Sequence, residues 1–364
     1  MGLSALLPNS LGALLMLIDW VTARIGLDCL SDEARQAVAL WGDRMVRYCP
    51  RSGEVRYESS AWDSVRSDSH QIAMRVTGDL WVQGSPARVC GDGDTVFGSG
   101  PSSALDLLGC VRRIVAFVEG MFSVRLPDAV NWNVSRLDVT ASVAFPDLSE
   151  VRQGLSALRG TEGGRYRVSQ KAGDTVYHGG RSKLRRGKAY AKGPHLEYAQ
   201  KQPGYSGRIY SDAEIADANK LMRLEVTLGR EWFRRVGEWH AVTPERLVQE
   251  WESFYGRMLG GVEVMESNIV ERVHAVAIGD DGKPKPRQAI AALACWHIIQ
   301  QMGWERAKAM HSKSAWYRHL QLLHAAGLGD ADISQGNVVV LRRVQLHAAR
   351  VDSWAELHQL RKSA

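Results

Sequence analysis

The sequence lacks most of the signatures that announce a chemistry. Its five cysteines, Cys29, Cys49, Cys90, Cys110 and Cys295, are odd in number, scattered and without CxxC spacing. That excludes a disulfide framework and a cysteine zinc site, and reads as the reduced thiols of a cytosolic protein. No apolar run approaches the roughly twenty residues that span a bilayer. The strongest near the start, residues 11–18 (LGALLMLI), is followed at once by Asp19 and has no basic segment ahead of it, so a secretory signal is also excluded. The glycine-rich stretch 91–100 (GDGDTVFGSG) lacks the Gly-Lys-Ser/Thr ending of a phosphate-binding loop. It is read as a tight loop with no nucleoside triphosphate site. A His-hydrophobe-His metal triplet is missing too.

What is present is ordinary for a globular chain: 45% apolar and 24% charged residues, which excludes wholesale disorder. A chain of 364 residues is long enough for two domains and a sizeable core. The formal charge of +6 and pI near 9.1 suit a polyanionic partner without requiring one. Twelve tryptophans are many for the length; most are expected in the core.

Strands are expected over Leu15–Arg24 and Gln71–Val76, and helices over 31–41 (capped by Ser31), Ser102–Phe122 (capped by Ser103) and Leu148–Arg159. Residues 212–220 read as a short polar helix, and Thr243–Val276 as a longer one with proline at its first position. Hairpin-joined strands with single helices between them predict an antiparallel α+β sheet.

The stretch 175–197 (TVYHGGRSKLRRGKAYAKGPHLE) carries the densest signal. A strand, a Gly-Gly turn and five basic residues, Arg181, Lys183, Arg185, Arg186 and Lys188, lead into a second strand-like run, Lys188–Lys192. Period-2 geometry places Lys188, Tyr190 and Lys192 on one face, a setting suited to a phosphodiester. Two further segments read SRLDVTASV and MRLEVTL, with Asp138 and Glu225 87 residues apart (225 − 138). In the first, Leu137, Val139, Ala141 and Val143 face the core; in the second, Met222, Leu224, Val226 and Leu228. The polar faces then carry an Arg–carboxylate–Thr row each. If the two pair centrally, Asp138 and Glu225 come together, and a hard divalent cation suits them. The competing reading is solvated or arginine-paired carboxylates.

Residues 279–287 (GDDGKPKPR) read as a linker. Beyond it, helices over 289–302, 304–310 and 312–326, then a β-wing from 338–344 and Val351, give the layout of a winged helix-turn-helix, with Lys313, Arg318 and His319 toward solvent. A generic helical cap fits the same pattern.

Taken together, SRLDVTAS (135–142), TVYHGGRSK (175–183), KAYAKGPHLE (188–197) and LMRLEVTL (221–228) resemble the replication initiation proteins of filamentous phages, the gene II/X family of rolling-circle nicking enzymes. MLIDWVTARI (16–25) and SPARVCGDGDTVFG (85–98) resemble its beginning and a loop ahead of its first long helix. The resemblance spans roughly 16–235 and implies Tyr190 as nucleophile, Lys192 as its helper, and Asp138 and Glu225 as ligands of Mg²⁺ or Mn²⁺, with Glu197 as a further acidic position. At that last position Gly-Pro-His intervenes where the family has a shorter gap, which puts Glu197 and His195 in doubt as ligands. The implied domains are a leader at 1–15 that is dispensable, a nicking and joining domain at 16–238, a helical connector at 239–286 and a winged-helix region at 287–364. The implied activity is nicking of one origin strand, leaving a 5′-phosphotyrosyl enzyme and a free 3′-hydroxyl, followed by rejoining. Its setting would be the bacterial host cytoplasm, with double- and single-stranded phage origin DNA, a host helicase and a DNA polymerase as partners and no membrane. The alternative is a non-catalytic basic DNA-binding regulator.

Overall fold

The computed structural model describes residues 16–41, 44–60, 62–66, 71–94, 96–160, 173–203, 205, 208–256, 266–279, 282–328, 333–334, 353 and 355. In chain order the elements begin with β1 (Met16–Gly26), α1 (Asp32–Ala39), β2 (Arg44–Tyr48), β3 (Val55–Ser60), β4 (Asp63–Arg66), β5 (Gln71–Val76) and β6 (Asp79–Gly84). Then come α2 (Pro86–Cys90), α3 (Leu107–Phe122), β7 (Asn133–Ala144), α4 (Leu148–Gly160), β8 (Thr175–His178), β9 (Arg185–Ala191), α5 (Lys192–Gln200), α6 (Asp212–Ala218) and β10 (Leu221–Gly229). The chain continues through α7 (Arg230–Val236), α8 (Pro244–Trp251), α9 (Glu266–Val276), α10 (Pro286–Met302), α11 (Trp304–Ala309) and α12 (Lys313–Ala325).

Eight strands form one antiparallel sheet in the order β4-β5-β6-β1-β7-β10-β9-β8, while β2 and β3 pair only with each other. The alternation read from the sequence holds on the two central strands. Leu137, Val139, Ala141 and Val143 of β7, and Met222, Leu224, Val226 and Leu228 of β10, are all buried in the main core. Strands β1, β5 and β6 and helices α1, α3, α4, α7 and α8 add to that core, and Trp251 Nε1 donates to the Leu224 carbonyl at 3.1 Å. The opposite face of the sheet carries the polar row.

Several element ends differ from expectation for identifiable reasons. Helix α3 starts at Leu107, because Asp106 accepts from the Gly109 amide and caps it, whereas Ser103 lies in a 3₁₀ turn bonded to Gly100. The strand expected to run through Lys192 ends at Ala191, and Lys192 is the first residue of α5. The long helix from Thr243 is interrupted: α8, capped by Thr243, gives way to a π turn over Glu252–Gly256.

The expected linker is a closed turn. The Gly279 amide bonds to the Lys283 carbonyl at 2.9 Å and the Lys285 amide to Ala277 at 2.7 Å. Moreover, Ile269, Val273 and Ala277 share a second core with Leu293, Trp296, Trp304, Trp316 and Leu323. The helical C-terminal unit therefore begins with α9, ahead of the boundary expected at 287. Its α10–α11–α12 succession matches the three helices of the expected layout; the wing over 338–344 and Val351 lies outside the described residues, as does the leader at 1–15. Among the described residues no helix is long and apolar enough to cross a membrane.

One glycine holds the core against the site strands. A Cβ on Gly187 of β9 would lie 2.3 Å from Phe254 Cε1 and 3.1 Å from the Tyr255 hydroxyl, both rings fully buried. Gly187→Ala is expected to cost about 1–3 kcal/mol, the range for overpacking, read as a fall in the thermal unfolding midpoint.

Candidate active site

Four neighbouring strands, β1, β7, β10 and β9, build the polar face. Across β10 and β7 the register pairs Glu225 with Thr140 and Thr227 with Asp138, so Asp138 and Glu225 lie on one face as diagonal neighbours. Across β10 and β9, Arg223 faces Tyr190 and Glu225 faces Lys188. The fourth contributor is Asp19, which sits at a bulge in β1: the register jumps between Ile18 and Trp20. A bulge adds one residue and re-aims it.

Tyr190 is 3% exposed, and its hydroxyl donates to Glu225 Oε1 at 2.8 Å. Burial, then the Glu225 carboxylate, holds the phenol well above its usual range, so the resting tyrosine is protonated. Lys188 Nζ lies 4.1 Å and Lys192 Nζ 5.9 Å from the ring centroid. Burial, then the Arg223 and Arg88 charges, pulls the Lys192 ammonium well below the usual lysine range. His195 is exposed on α5, with its ring centroid 4.7 Å from that of Tyr190.

Glu225 is shared between groups. Its Oε1 also lies 3.5 Å from Arg223 Nε, and its Oε2 3.9 Å from Lys188 Nζ. Burial raises its carboxyl above the ordinary value; Asp19 and Asp138 add to this while Lys188 and Arg223 oppose it. Asp138 takes a two-pronged bond from Arg136, with Nε to Oδ1 at 3.0 Å and Nη2 to Oδ2 at 2.5 Å.

Arg223 is the hub that the sequence did not reveal. It is 2% exposed, pairs with Asp19 at 2.8 Å, and donates Nη1 to the carbonyls of Phe97 (2.5 Å) and Val96 (3.3 Å). Those carbonyls belong to the loop first read only as a tight turn. Asp94 Oδ1 accepts from the Val96 and Phe97 amides at 2.7 and 2.8 Å, which shapes that loop. Gly98 has φ +71, and a Cβ there would stand 3.1 Å from Asp19 Oδ1 and 3.2 Å from Arg223 Nη2. Gly98→Val is expected to loosen the clamp at a cost of about 1–3 kcal/mol from backbone strain, measured as lost thermal stability with faster proteolysis of the 91–100 loop.

The remaining predicted residues divide. Arg186 and Lys188 share the face of Tyr190, and Arg181 and Lys183 are exposed at the hairpin tip. Arg185 alternates to the other face, where its Nη1 donates to Glu250 at 2.8 Å and to Ser253 at 2.7 Å. Glu197 lies on α5 with Oε2 3.7 Å from Lys201. Among the described residues no three His, Cys, Asp or Glu side chains are grouped to hold a metal ion, so Glu197 does not complete a set with Asp138 and Glu225. Lys313 and Arg318 are exposed on α12, together with Tyr317 and Gln321, whereas His319 is only partly so.

Asp138 and Glu225 are the two carboxylates of the face that could hold a divalent cation. Mg²⁺ is commonly held by one or two carboxylates and completes its shell with water and phosphate oxygens. Asp138 and Glu225 supply the two, and Thr140 Oγ1, between them on the face, is buried without a hydrogen-bond partner.

Comparison with known proteins shows the family. The family model for the replication-associated protein G2P N-terminal region matches residues 17–254. The replication-associated protein G2P of Enterobacteria phage I2-2 is 23% identical over 349 residues, covering 90% of this chain and 93% of the relative. A solved structure of a rolling circle replication initiator protein from Geobacillus stearothermophilus aligns over 65% of this chain and 79% of its own, at 12% identity and a TM-score of 0.28, too low to argue from. Tyr190, Asp138, Glu225, Arg223 and Asp19 all fall inside the matched segment, and the chain belongs to the replication-associated protein G2P family.

Proposed function

We propose that this protein initiates rolling-circle replication by nicking one strand of a phage origin through Tyr190, and later rejoins it. The observation that carries the proposal is the Tyr190 hydroxyl, hydrogen-bonded to Glu225 at 2.8 Å on the central strands beside Lys188 and Lys192. Reversible breakage needs a nucleophile that keeps the bond energy in a covalent link, and a phenolate can leave again when a 3′-hydroxyl returns. Glu225 accepts the phenol proton along the existing hydrogen bond, and the freed oxygen attacks phosphorus. The bond from phosphorus to the 3′-oxygen breaks as the new bond joins the tyrosine to the 5′-phosphate, and the departing 3′-oxygen takes a proton from solvent to become the free 3′-hydroxyl. Lys188 and Lys192 offset the charge that grows on the phenolate and the phosphate. Asp138 and Glu225 are the residues that would hold Mg²⁺ or Mn²⁺, which when bound supplies charge to the non-bridging oxygens and the leaving oxygen. Lys188 and the exposed His195 border the ring, so an entering strand displaces those side chains. The setting is the host cytoplasm, where a host helicase and polymerase extend the free 3′ end.

The test is incubation of labelled single-stranded and supercoiled origin DNA with protein and Mg²⁺, followed by a denaturing gel. A nicked strand with protein attached to its 5′ end supports the proposal. Binding with no cleavage under any metal favours a non-catalytic regulator, a reading supported by the burial of Tyr190.

Two further outcomes are expected. Asp138→Asn and Glu225→Gln preserve size and remove charge, so each raises the Mg²⁺ needed for half-maximal nicking by about tenfold or more, the range seen when a ligand's support is lost; Glu225→Gln also lacks the acceptor of the phenol proton, so its nicking rate at saturating Mg²⁺ falls as well. An unchanged metal titration in both variants favours the arginine-paired reading. A chain ending before Glu266 omits the whole second core and keeps the nicking strands. It still cleaves single-stranded DNA but loses most preference for the duplex origin, because the exposed Lys313 and Arg318 go with α12. Equal loss on both substrates makes the helical unit part of the catalytic fold.

A further inference from the structure

The β2–β3 ribbon has no role in the site just described. It pairs with no other strand, and every residue from Arg44 to Tyr48 and from Pro50 to Glu58 is exposed. Met45, Val46, Tyr48, Val55 and Tyr57 are 47–61% exposed, an apolar load that a lone ribbon does not normally show to water. A two-stranded ribbon with neither face packed is marginal alone. Its charge is lopsided: Arg44, Arg47, Arg51 and Arg56 against Glu54 and Glu58, a net of +2 (4 − 2). The ribbon's base, however, is fixed. Ser60, 3% exposed, donates its hydroxyl to the Val76 carbonyl at the end of β5 and accepts from Arg44 Nη1 at 3.1 Å.

We infer that this ribbon docks in the major groove of the duplex DNA flanking the nick, about one helical turn away from it, with its arginines on phosphates and its tyrosines and aliphatic side chains against the groove wall. A ribbon of this kind is one of the few elements that fit the groove, which is about 12 Å wide. Its charge suits a polyanion and argues against another copy of this basic chain. Its position suits the same duplex that reaches Tyr190. From β5 to β9 there are five interstrand steps, about 24 Å at about 4.8 Å each. Along the strands, Val76 is level through Leu80 and Ile25 with the start of β7 near Asn133, while Tyr190 is level through Arg223 with Ser142, nine residues on (142 − 133), about 30 Å at about 3.3 Å each. The two displacements combine to about 38 Å, the length of roughly eleven base pairs at about 3.4 Å. The inference rests on the reading of the protein as one that acts on DNA, but it concerns binding alone and is read without cleavage.

The experiment measures binding of the full chain to a labelled duplex of about thirty base pairs by fluorescence anisotropy, between about 50 and 200 mM salt. The comparison is between the native protein and the variant Arg44→Ala/Arg47→Ala/Arg56→Ala. Each lost phosphate contact lowers the slope of log affinity against log salt by about 0.9, so the slope falls by about two to three. Affinity at the low-salt end falls on the order of tenfold to a hundredfold. The Lys version of the triple variant keeps the slope, since lysine still serves a phosphate as a point charge. Should the triple variant unfold, Arg51→Glu/Arg56→Glu, with Arg51 in the turn and Arg56 at the register shift, gives the same reading. Unchanged affinity and slope overturn the inference. So does a Met45→Ser/Val46→Ser variant that shifts oligomeric mass in light scattering while duplex affinity stays the same, since the ribbon then joins copies of the chain. A failed adduct assay with intact ribbon-dependent binding condemns the nicking chemistry instead.

Discussion

Tyr190→Phe is expected to abolish the covalent protein–DNA adduct of the proposed reaction and to lower nicking by on the order of 10⁴-fold or more, the scale of losing a nucleophile. The substitution removes one oxygen from a buried ring and leaves Glu225 Oε1 still close to Arg223 Nε at 3.5 Å. Stability therefore changes only by about 1 kcal/mol, the net worth of one hydrogen bond, and DNA affinity persists because Lys188, Arg186 and the hairpin tip are untouched. The adduct is read on a denaturing gel with end-labelled DNA. Tyr177 is the control. It pairs with Lys188 on the edge strand β8, shares the face of Tyr190 and is 41% exposed, so it is the more accessible of the two hydroxyls. It has no carboxylate partner among the hydrogen bonds of the described residues, and Tyr177→Phe should leave the adduct in place. Should the two variants exchange behaviours, exposure outweighs the Glu225 contact and the nucleophile is Tyr177.

Arg223→Met is expected to destabilise the fold by about 3–5 kcal/mol, the range for breaking a buried ion pair, and to lower the unfolding midpoint by roughly 10 °C. Methionine fills much of the volume but strands Asp19 and Glu225, and it frees the Val96 and Phe97 carbonyls that the guanidinium now holds. The pH dependence gives a second reading. In the native protein burial pushes the Asp19 carboxyl up, but Arg223, with Lys192 and Arg88, outweighs burial and leaves it below its ordinary value. A depressed folded-state value contributes stability above about pH 4 and loses it as pH falls through the folded value. Without Arg223 the sign reverses. Asp19 and Glu225 are then both raised by burial and mutual repulsion, and their stability is present when protonated and lost as pH rises through the folded values. The deficit of the variant thus narrows as the pH falls through the carboxylate range and widens as it rises through that range. A deficit independent of pH, measured by denaturant unfolding, would falsify the account of Arg223 as the charge partner of these carboxylates.

The two RL-carboxylate-VT strands show why part of the site was legible. Period-2 alternation is a local property of strand backbone, so five or six residues suffice to say which side of the sheet Asp138, Glu225 and Tyr190 occupy. Pairing the two strands then required only that both be central, which their apolar faces already indicated. Helix starts were legible where a local signal marks them, as with the capping serine Ser31 and the proline Pro244 at the first helical position. Alternation also assigned Arg186 and Lys188 to the side of Tyr190. Had it been applied strictly, it would have sent Arg185 to the other side.

What the sequence determined on its own was therefore the identity of the strands, their buried faces and the tyrosine among the basic residues, because each follows from neighbours a few positions apart. Tertiary structure alone decided the rest. Asp19 enters the site through a bulge, a mismatch between two strands that neither strand's sequence displays. Arg223 finds its carbonyl partners 126 and 127 residues away, in a loop that looked like a turn. Glu197 stays with Lys201 because the chain turns into a helix at Lys192, one residue after the strand ends. Such contacts depend on register and on close approach of distant segments, and no periodicity along a single chain encodes either one.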